Sequence, residues 1–165
     1  MEIKETTLMD TTNTRNILGY SYGDKTLSSE KKGQAKNFVC FDNGKPVGYL
    51  VCQICGEDML DYSYRMIPKE REILYITTVF VNEGYDKSTV IKMLMREALN
   101  KYREDRHILV PVWINGSSSE EYIKLLTKFG FVKVKEINNY WWHRLVKCSK
   151  CGSGRCSCSC WMFYR

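Results

Sequence analysis

The pattern of hydrophobic and polar residues indicates secondary structure most clearly between residues 73 and 131. Ile73 to Val81 is a run of nine mostly apolar or β-branched residues, the profile of a strand buried on both faces. From Val90 to Tyr102 the apolar side chains recur at the spacing of one helix face. His107 to Ile114 is a second apolar run. Because a helix joins these two strands, the simplest arrangement is a right-handed crossover between parallel strands.

The segment that follows predicts a capped helix. Ser117 or Ser118 can cap it, because a glutamate follows three residues after either serine. Gly130 ends the helix. The predicted buried stripe of this helix consists of Tyr122, Leu125, Leu126 and Phe129.

Two hairpins are predicted on either side of this block. Residues 36–41 and 46–54 flank Asp42-Asn43-Gly44-Lys45, a strong turn signal. Residues 131–137 and 140–146 flank a second turn at Asn138-Asn139. The 165 residues, with 44% hydrophobic residues, are enough for one compact domain with a real core, but not for a second full domain.

The order of these elements resembles the core of the GCN5-related N-acetyltransferase superfamily. In that family a central strand, a pyrophosphate loop with its helix, the next strand, and a final helix ending in Gly-Phe follow one another, as they do here up to Gly130-Phe131. The resemblance implies an α/β (α+β) fold with a mixed central sheet flanked by helices. It covers residues 1–147 and leaves a basic, cysteine-rich tail at residues 148–165.

The same resemblance implies acetyl-coenzyme A as cofactor and direct transfer of its acetyl group to an amine. In the family, backbone amides after the central strand bind the pyrophosphate. The cofactor-binding residues implied here are Val79, Phe80, Val81, Lys87, Ser88 and Thr89. This loop departs from the family, because Asp86, Thr89 and Ile91 stand where Arg or Gln and then two spaced small residues are expected. An ordinary capped helix start, in a catalytically inactive scaffold, is therefore the alternative interpretation.

Two catalytic candidates lie after the second parallel strand. The family often places a tyrosine four residues before the Gly of Gly-Phe, as the acid for the leaving thiolate, but this chain has Leu126 there. Tyr122, one turn earlier on the same face, is the candidate acid, and its alternative is a core residue. Asn115 lies where ligands gather beyond the carboxyl ends of strands, and its alternative is a turn residue beside Gly116. No motif identifies the acceptor, which is a small amine, a protein N-terminus or a lysine.

Cysteine usage is the other strong signal, with eight cysteines in the chain. Two Cys-x-x-Cys-Gly sequences are typical of the turns of zinc ribbons, and together they predict a zinc site. Its four ligands would be Cys52, Cys55, Cys148 and Cys151. If Cys52 is still within a strand, however, Cys-x-x-Cys directs its side chains to opposite faces. Zinc on several tail thiols, disulfides in an oxidising compartment, a disordered tail and lipidated cysteines remain alternatives.

The distribution of charge gives limited information about binding partners. The net charge is +6, and the residues after Glu136 include five basic and no acidic side chains. Trp161, Phe163 and Tyr164 lie in the same basic tail. The tail could therefore contact nucleic acid or an acidic protein surface in an assembly, or it could be a flexible solubilising terminus. No apolar run has the length of a membrane span, and Met1-Glu2-Ile3-Lys4 does not begin a secretory signal. We expect a cytoplasmic protein, with a virion or another assembly as the alternative.

Overall fold

The computed structural model describes residues 1–6, 34–55, 72–102, 106–114, 117–140, 151–152 and 156–165. The strands are β1 (Glu2–Thr6), β2 (Gln34–Asp42), β3 (Lys45–Cys55), β4 (Ile73–Val81), β5 (His107–Trp113), β6 (Val132–Ile137) and β7 (Cys160–Tyr164). The helices are α1 (Lys87–Tyr102) and α2 (Ser117–Lys128). Both helices and the strands around them lie where the sequence pattern predicted them.

The described strands form one mixed sheet in the order β1-β2-β3-β4-β5-β7-β6. Strands β1 to β4 are antiparallel neighbours, β4 and β5 are parallel, and β7 runs antiparallel to both β5 and β6. The connection from β4 to β5 passes through α1, as a parallel pair requires. The predicted mixed central sheet flanked by helices is therefore confirmed.

The turn between β2 and β3 shows why its sequence is such a clear signal. Asn43 and Gly44 both have positive φ, at 47° and 76°. A two-residue turn of this kind matches the twist of the flanking strands, and asparagine and glycine tolerate its backbone best. Asp42 and Lys45 pair directly across it, as predicted.

The predicted second hairpin lies largely outside the described residues, and the structure adds a partner that the pattern did not predict. Residues 132–137 pair with Cys160–Tyr164. Tyr140 lies in a turn, and residues 141–150 lie outside the described residues. The last five-residue strand, placed by the sequence interpretation in a tail beyond residue 147, lies inside the sheet between β5 and β6. Its side chains are buried or half-buried, which suits an interior strand.

The sheet separates the two larger of three hydrophobic clusters in the described residues; the third consists of Val39, Tyr49 and Val51. The helix-side core lies under α1 and α2 and includes Leu50, Cys52, Leu74, Ile76, Val90, Leu94, Met95, Ile108, Val110 and Leu126. The opposite core consists of Ile73, Tyr75, Leu109, Tyr140, Cys156, Cys158, Cys160 and Met162. Successive residues of β4 and β5 alternate between the two clusters, because neighbouring side chains of a strand point to opposite faces. The buried strands β4 and β5 thus hold both layers together.

Candidate active site

Strands β4 and β5 are hydrogen-bonded neighbours over only part of their length. Their parallel register consists of three pairs, from Ile73 with His107 to Tyr75 with Leu109. Beyond this point β4 continues alongside β3 to Val81, while β5 continues alongside β7. The two strands therefore diverge toward their carboxyl ends. We call the space between their diverging ends the cleft.

Burial along β4 follows this divergence. Residues 73–76 are buried, whereas residues 77–80 are half-buried. On the side away from the cleft, Phe80 pairs with Tyr49 across the β3–β4 ladder, and the two rings stack with centroids 5.4 Å apart. The hydroxyl of Thr77 donates to the carbonyl of Val51 at 3.2 Å. Since successive residues of a strand direct their N–H and C=O groups to alternate edges, half of those groups in residues 76–81 face the cleft.

The loop after β4 leads directly from the cleft to the first turn of α1. The Asn82 amide donates to the carbonyl of Val47 at 2.8 Å, which extends the β3–β4 pairing by one residue. Gly84 then turns the chain with φ of 87°. The first intrahelical bond of α1 runs from the Val90 amide to the carbonyl of Asp86, at 3.1 Å. The N-terminus of α1, with its partial positive charge, thus lies at the carboxyl end of β4.

Asp86 caps this helix. Its Oδ1 atom accepts a hydrogen bond from the Ser88 amide at 3.1 Å, and its Oδ2 atom accepts one from the hydroxyl of Thr89. The Thr89 hydroxyl bond and the bonds from the Ser88 and Thr89 amides lower the pKa of the Asp86 carboxyl. Asp86 is therefore ionised at neutral pH. An internal carboxylate occupies the helix end at which an external anion would bind.

On α2, Tyr122 is half-buried against the helix-side core. Its hydroxyl oxygen is inaccessible to solvent and has no hydrogen-bond partner among the described residues. Burial raises the pKa of Tyr122 well above its usual value, so the phenol keeps its proton at neutral pH. Leu126, one turn later, is fully buried. Asn115, the other catalytic candidate, lies outside the described residues.

Comparison with protein families decides the classification of this fold. The family model described as "Acetyltransferase (GNAT) family" matches residues 3–131, which is most of the chain. The chain belongs to the GNAT acetyltransferase family. The predicted resemblance is thereby confirmed.

Known proteins agree with this assignment. An uncharacterized N-acetyltransferase of Methanocaldococcus jannaschii is 25% identical to this GNAT protein over 117 residues, or 71% of this chain and 47% of the relative. The chain thus spans about half the length of that curated relative. Among solved structures, Arabidopsis thaliana NAA60 in complex with acetyl-CoA superposes with a TM-score of 0.70 at 15% identity, covering 99% of this chain and 97% of its own. The ribosomal-protein-S18-alanine N-acetyltransferase of Escherichia coli gives 0.67 at 15% identity, with 99% and 91% covered. These structures share the fold.

The predicted four-cysteine site is not assembled by the described part of this GNAT protein. Cys52 is fully buried in the helix-side core, and its thiol donates to the carbonyl of Lys36 at 3.6 Å. Burial raises the pKa of Cys52 to about 12. Cys151, by contrast, packs against the opposite core, so the sheet separates it from Cys52. The Cys55 side chain and Cys148 lie outside the described residues.

A different set of thiols comes together at this face. The sulfur atoms of Cys151, Cys156 and Cys158 all lie within 4.8 Å of one another. We call this set the thiol cluster. The sequence interpretation named Cys151 as a metal ligand and gave zinc on several tail thiols as an alternative, without assigning Cys156 or Cys158 individually. Their Cys-x-Cys spacing was the signal available for them.

The aromatic side chains of the last strand make their contacts within the sheet. Phe163 is buried. The indole of Trp161 donates to a carboxylate oxygen of Glu136 at 2.9 Å, and the hydroxyl of Tyr164 lies 2.7 Å from Nδ1 of His107. These three rings therefore take part in the packing and hydrogen bonding of the sheet. Among the described residues, no helix is long and apolar enough to span a membrane.

Proposed function

We propose that this GNAT protein is an acetyl-coenzyme A-dependent N-acetyltransferase that transfers the acetyl group directly to an amine. The divergence of β4 from β5 after Tyr75 is the observation that carries the proposal. It leaves backbone groups of β4 along an open cleft that ends at the first turn of α1. Such an arrangement can orient a thioester along the strand and a pyrophosphate at the helix end. The names of the Methanocaldococcus relative and of the NAA60 complex support the same activity.

Acetyl-coenzyme A supplies the thioester carbonyl that a neutral amine attacks, and coenzyme A leaves as its thiol. The cleft-facing amides of β4, those of Val79 and Val81, would donate to the carbonyl oxygen as negative charge develops there, while the Phe80 amide faces β3. Tyr122 would supply the proton that the leaving sulfur takes up and would regain one from solvent once coenzyme A has left, and Asn115 would assist through water or the cofactor. The proton lost by the amine passes to solvent. Lys87, Ser88 and Thr89 hold the pyrophosphate at the helix N-terminus.

A specific observation favours the second candidate, a catalytically inactive scaffold. The carboxylate of Asp86 already accepts hydrogen bonds at the first turn of α1, where the pyrophosphate would bind. Its charge opposes that of the diphosphate. In this alternative the protein acts through contacts with an assembly partner. The two candidates differ most directly in whether acetyl-coenzyme A binds.

Calorimetric titration with acetyl-coenzyme A, at near-neutral pH with reductant, tests the proposal. We expect saturable binding with one cofactor per chain, and formation of free coenzyme A thiol once an acceptor is added. The acceptor panel comprises peptides with a free N-terminal amine, the same peptides with only a lysine amine free, and small polyamines. Peptides are included because the structurally similar enzyme of Escherichia coli is named for an alanine of a ribosomal protein. Absence of binding would assign the protein to the scaffold class.

Replacing Asp86 with asparagine is expected to strengthen acetyl-coenzyme A binding. Asparagine is as good a helix cap as aspartate. In Asp86→Asn, Oδ1 still accepts from the Ser88 amide and Nδ2 can donate to the Thr89 hydroxyl, while the negative charge is removed. We expect the dissociation constant to fall by about threefold to tenfold, and the gain to shrink as salt is raised. Calorimetry at two salt concentrations measures both. Weaker binding in this variant would show that the carboxylate assists the cofactor.

A charge reversal at Lys87 is expected to have the opposite effect. Lys87 is the exposed first residue of α1. Lys87→Glu places a second negative charge at the helix end, and we expect it to raise the dissociation constant by roughly fivefold at low salt. Lys124→Glu makes the same change of charge on the exposed surface of α2 and serves as the matched control. Equal losses in both variants would indicate an effect of net charge and would contradict a pyrophosphate at α1.

A further inference from the structure

The thiol cluster has the spacing of metal ligands. Cys151 Sγ and Cys158 Sγ are 3.6 Å apart, and all three sulfur atoms lie within 4.8 Å of one another. A disulfide joins its sulfur atoms at about 2.0 Å, so this contact is not that bond. Around a tetrahedral zinc ion with Zn–S bonds of about 2.3 Å, the sulfur atoms lie about 3.8 Å apart. The observed separation is close to this value.

The local backbone brings the three thiols together from one short stretch of chain. Gly152 follows Cys151 with φ of 76°, a conformation that glycine adopts without strain, and it turns the chain directly after the first thiol. The Cys-x-Cys pair then precedes β7 by two residues. Cys156 is fully buried, Cys158 is 9% exposed and Cys151 is half-buried. The cluster is thus largely shielded from solvent, and an ion can still reach it from the side of the half-buried Cys151.

The surroundings of the cluster suit a structural ion. The thiols contact the opposite core, which joins them to the central strands of the sheet. The hydroxyl of Ser157 lies 3.8 Å from Cys151 Sγ, a position from which a serine can donate to a thiolate. Thiolate ligands select soft and borderline ions, and zinc takes cysteine sulfur in tetrahedral sites that stabilise small folds.

We propose that Cys151, Cys156 and Cys158 bind one zinc ion as thiolates, and that this ion fastens the chain before β7 to the sheet. Each thiol loses its proton when the ion binds. A tetrahedral ion has a fourth position, which the described residues leave to water or to a ligand from outside their ranges. The site is separate from the cleft chemistry, and it differs from the predicted set because Cys52 is on the other side of the sheet.

The consequence concerns the sheet itself. Strand β7 pairs with β5 on one side and with β6 on the other. Its first residue, Cys160, is only two positions after Cys158. An ion that holds Cys156 and Cys158 therefore fixes the start of the strand on which the attachment of β6 depends. Binding that is specific to the folded chain stabilises it by mass action.

Metal analysis of the full chain tests this site. After purification with reductant and equilibration with zinc, we expect one tightly bound zinc ion per chain. Cys151→Ser, Cys156→Ser and Cys158→Ser are each expected to weaken zinc binding at least about tenfold. Cys40→Ser is the control, because Cys40 is a buried cysteine of the helix-side core and should leave zinc binding unchanged. A wild-type chain without zinc, or a Cys156→Ser/Cys158→Ser variant that keeps it, would overturn the proposal.

A second measurement on the unaltered chain covers the case in which the serine variants fail to fold. Cobalt(II) added to the zinc-depleted protein is expected to give the strong visible bands of a tetrahedral site and the near-ultraviolet charge-transfer band of thiolate ligation. Zinc should abolish both. The weak bands of an octahedral, oxygen-ligated ion would refute the site. So would intact-mass analysis showing that two of the three cysteines have lost their hydrogens to a disulfide.

Discussion

Replacing Tyr122 with phenylalanine is expected to lower kcat by at least about a hundredfold, the usual range for loss of a general acid. The proposed transfer needs a proton donor for the leaving sulfur, and the Tyr122 phenol stays protonated because burial raises its pKa. Affinity for acetyl-coenzyme A should change little. Since the hydroxyl has no partner among the described residues, removing it should leave the melting temperature equal or slightly higher.

Two further measurements distinguish a general-acid role of Tyr122 from a packing role. Tyr102→Phe removes another tyrosine hydroxyl, at the end of α1. This hydroxyl donates to Glu5 of β1 at 2.7 Å, and its loss should leave kcat nearly unchanged. Because the pKa of Tyr122 is raised, kcat should show no alkaline decline from this group below about pH 10, the ordinary tyrosine value. If Tyr122→Phe kept full kcat with higher stability, Tyr122 would be a packing residue and the proton would come from elsewhere.

Replacing Gly48 with alanine is expected to lower the free energy of unfolding by about 1–3 kcal/mol, and valine should cost more. Gly48 pairs with Val81 at the carboxyl end of β4. A Cβ atom at Gly48 would lie 2.8 Å from the carbonyl oxygen of Phe80 and 2.8 Å from Cγ1 of Val90. One neighbour is backbone and the other is a buried side chain of α1, so neither can give way cheaply. Urea unfolding of the purified variants measures the change.

The same substitution probes the cleft. Displacing Phe80 or Val90 moves the end of β4 or the first turns of α1, so acetyl-coenzyme A affinity should fall along with stability. Gly48→Ala combined with Val90→Ala removes the side-chain half of the clash, and the pair should destabilise less than the sum of the two single changes. A Gly48→Ala variant as stable as the natural chain would mean that β3 and α1 separate readily here, contrary to the close packing observed.

One part of the candidate site could be read from neighbouring residues in the sequence. A helix cap is local, and the alternative interpretation of the loop as a capped helix start agrees with the hydrogen bonds that Asp86 accepts from Ser88 and Thr89. The cleft was not predictable from periodicity. All of β4 reads as one apolar strand, yet only its first three residues pair with β5. The pairing ends because β4 continues alongside β3 while β5 continues alongside β7, and these strands are distant in sequence.

The cysteines show the same division between local and distant information. Spacing alone linked Cys52 with Cys151, because both begin or end a Cys-x-x-Cys-Gly turn. Burial places them in different cores. Spacing carries no information about which face of a sheet a strand residue occupies, since a shift of one residue reverses every side chain.

Among the described residues, the sequence by itself determined the order of helices and strands between residues 34 and 137, the β2–β3 turn, the end of α2 at Gly130 and the family layout. These follow from hydrophobic period and turn chemistry, which act over a few residues. The tertiary structure alone decided that Cys160–Tyr164 enters the sheet between β5 and β6, that β4 and β5 diverge, and which thiols meet. Such contacts join residues far apart in the chain. They are set by the burial of whole strands against one another, which no short window of sequence contains.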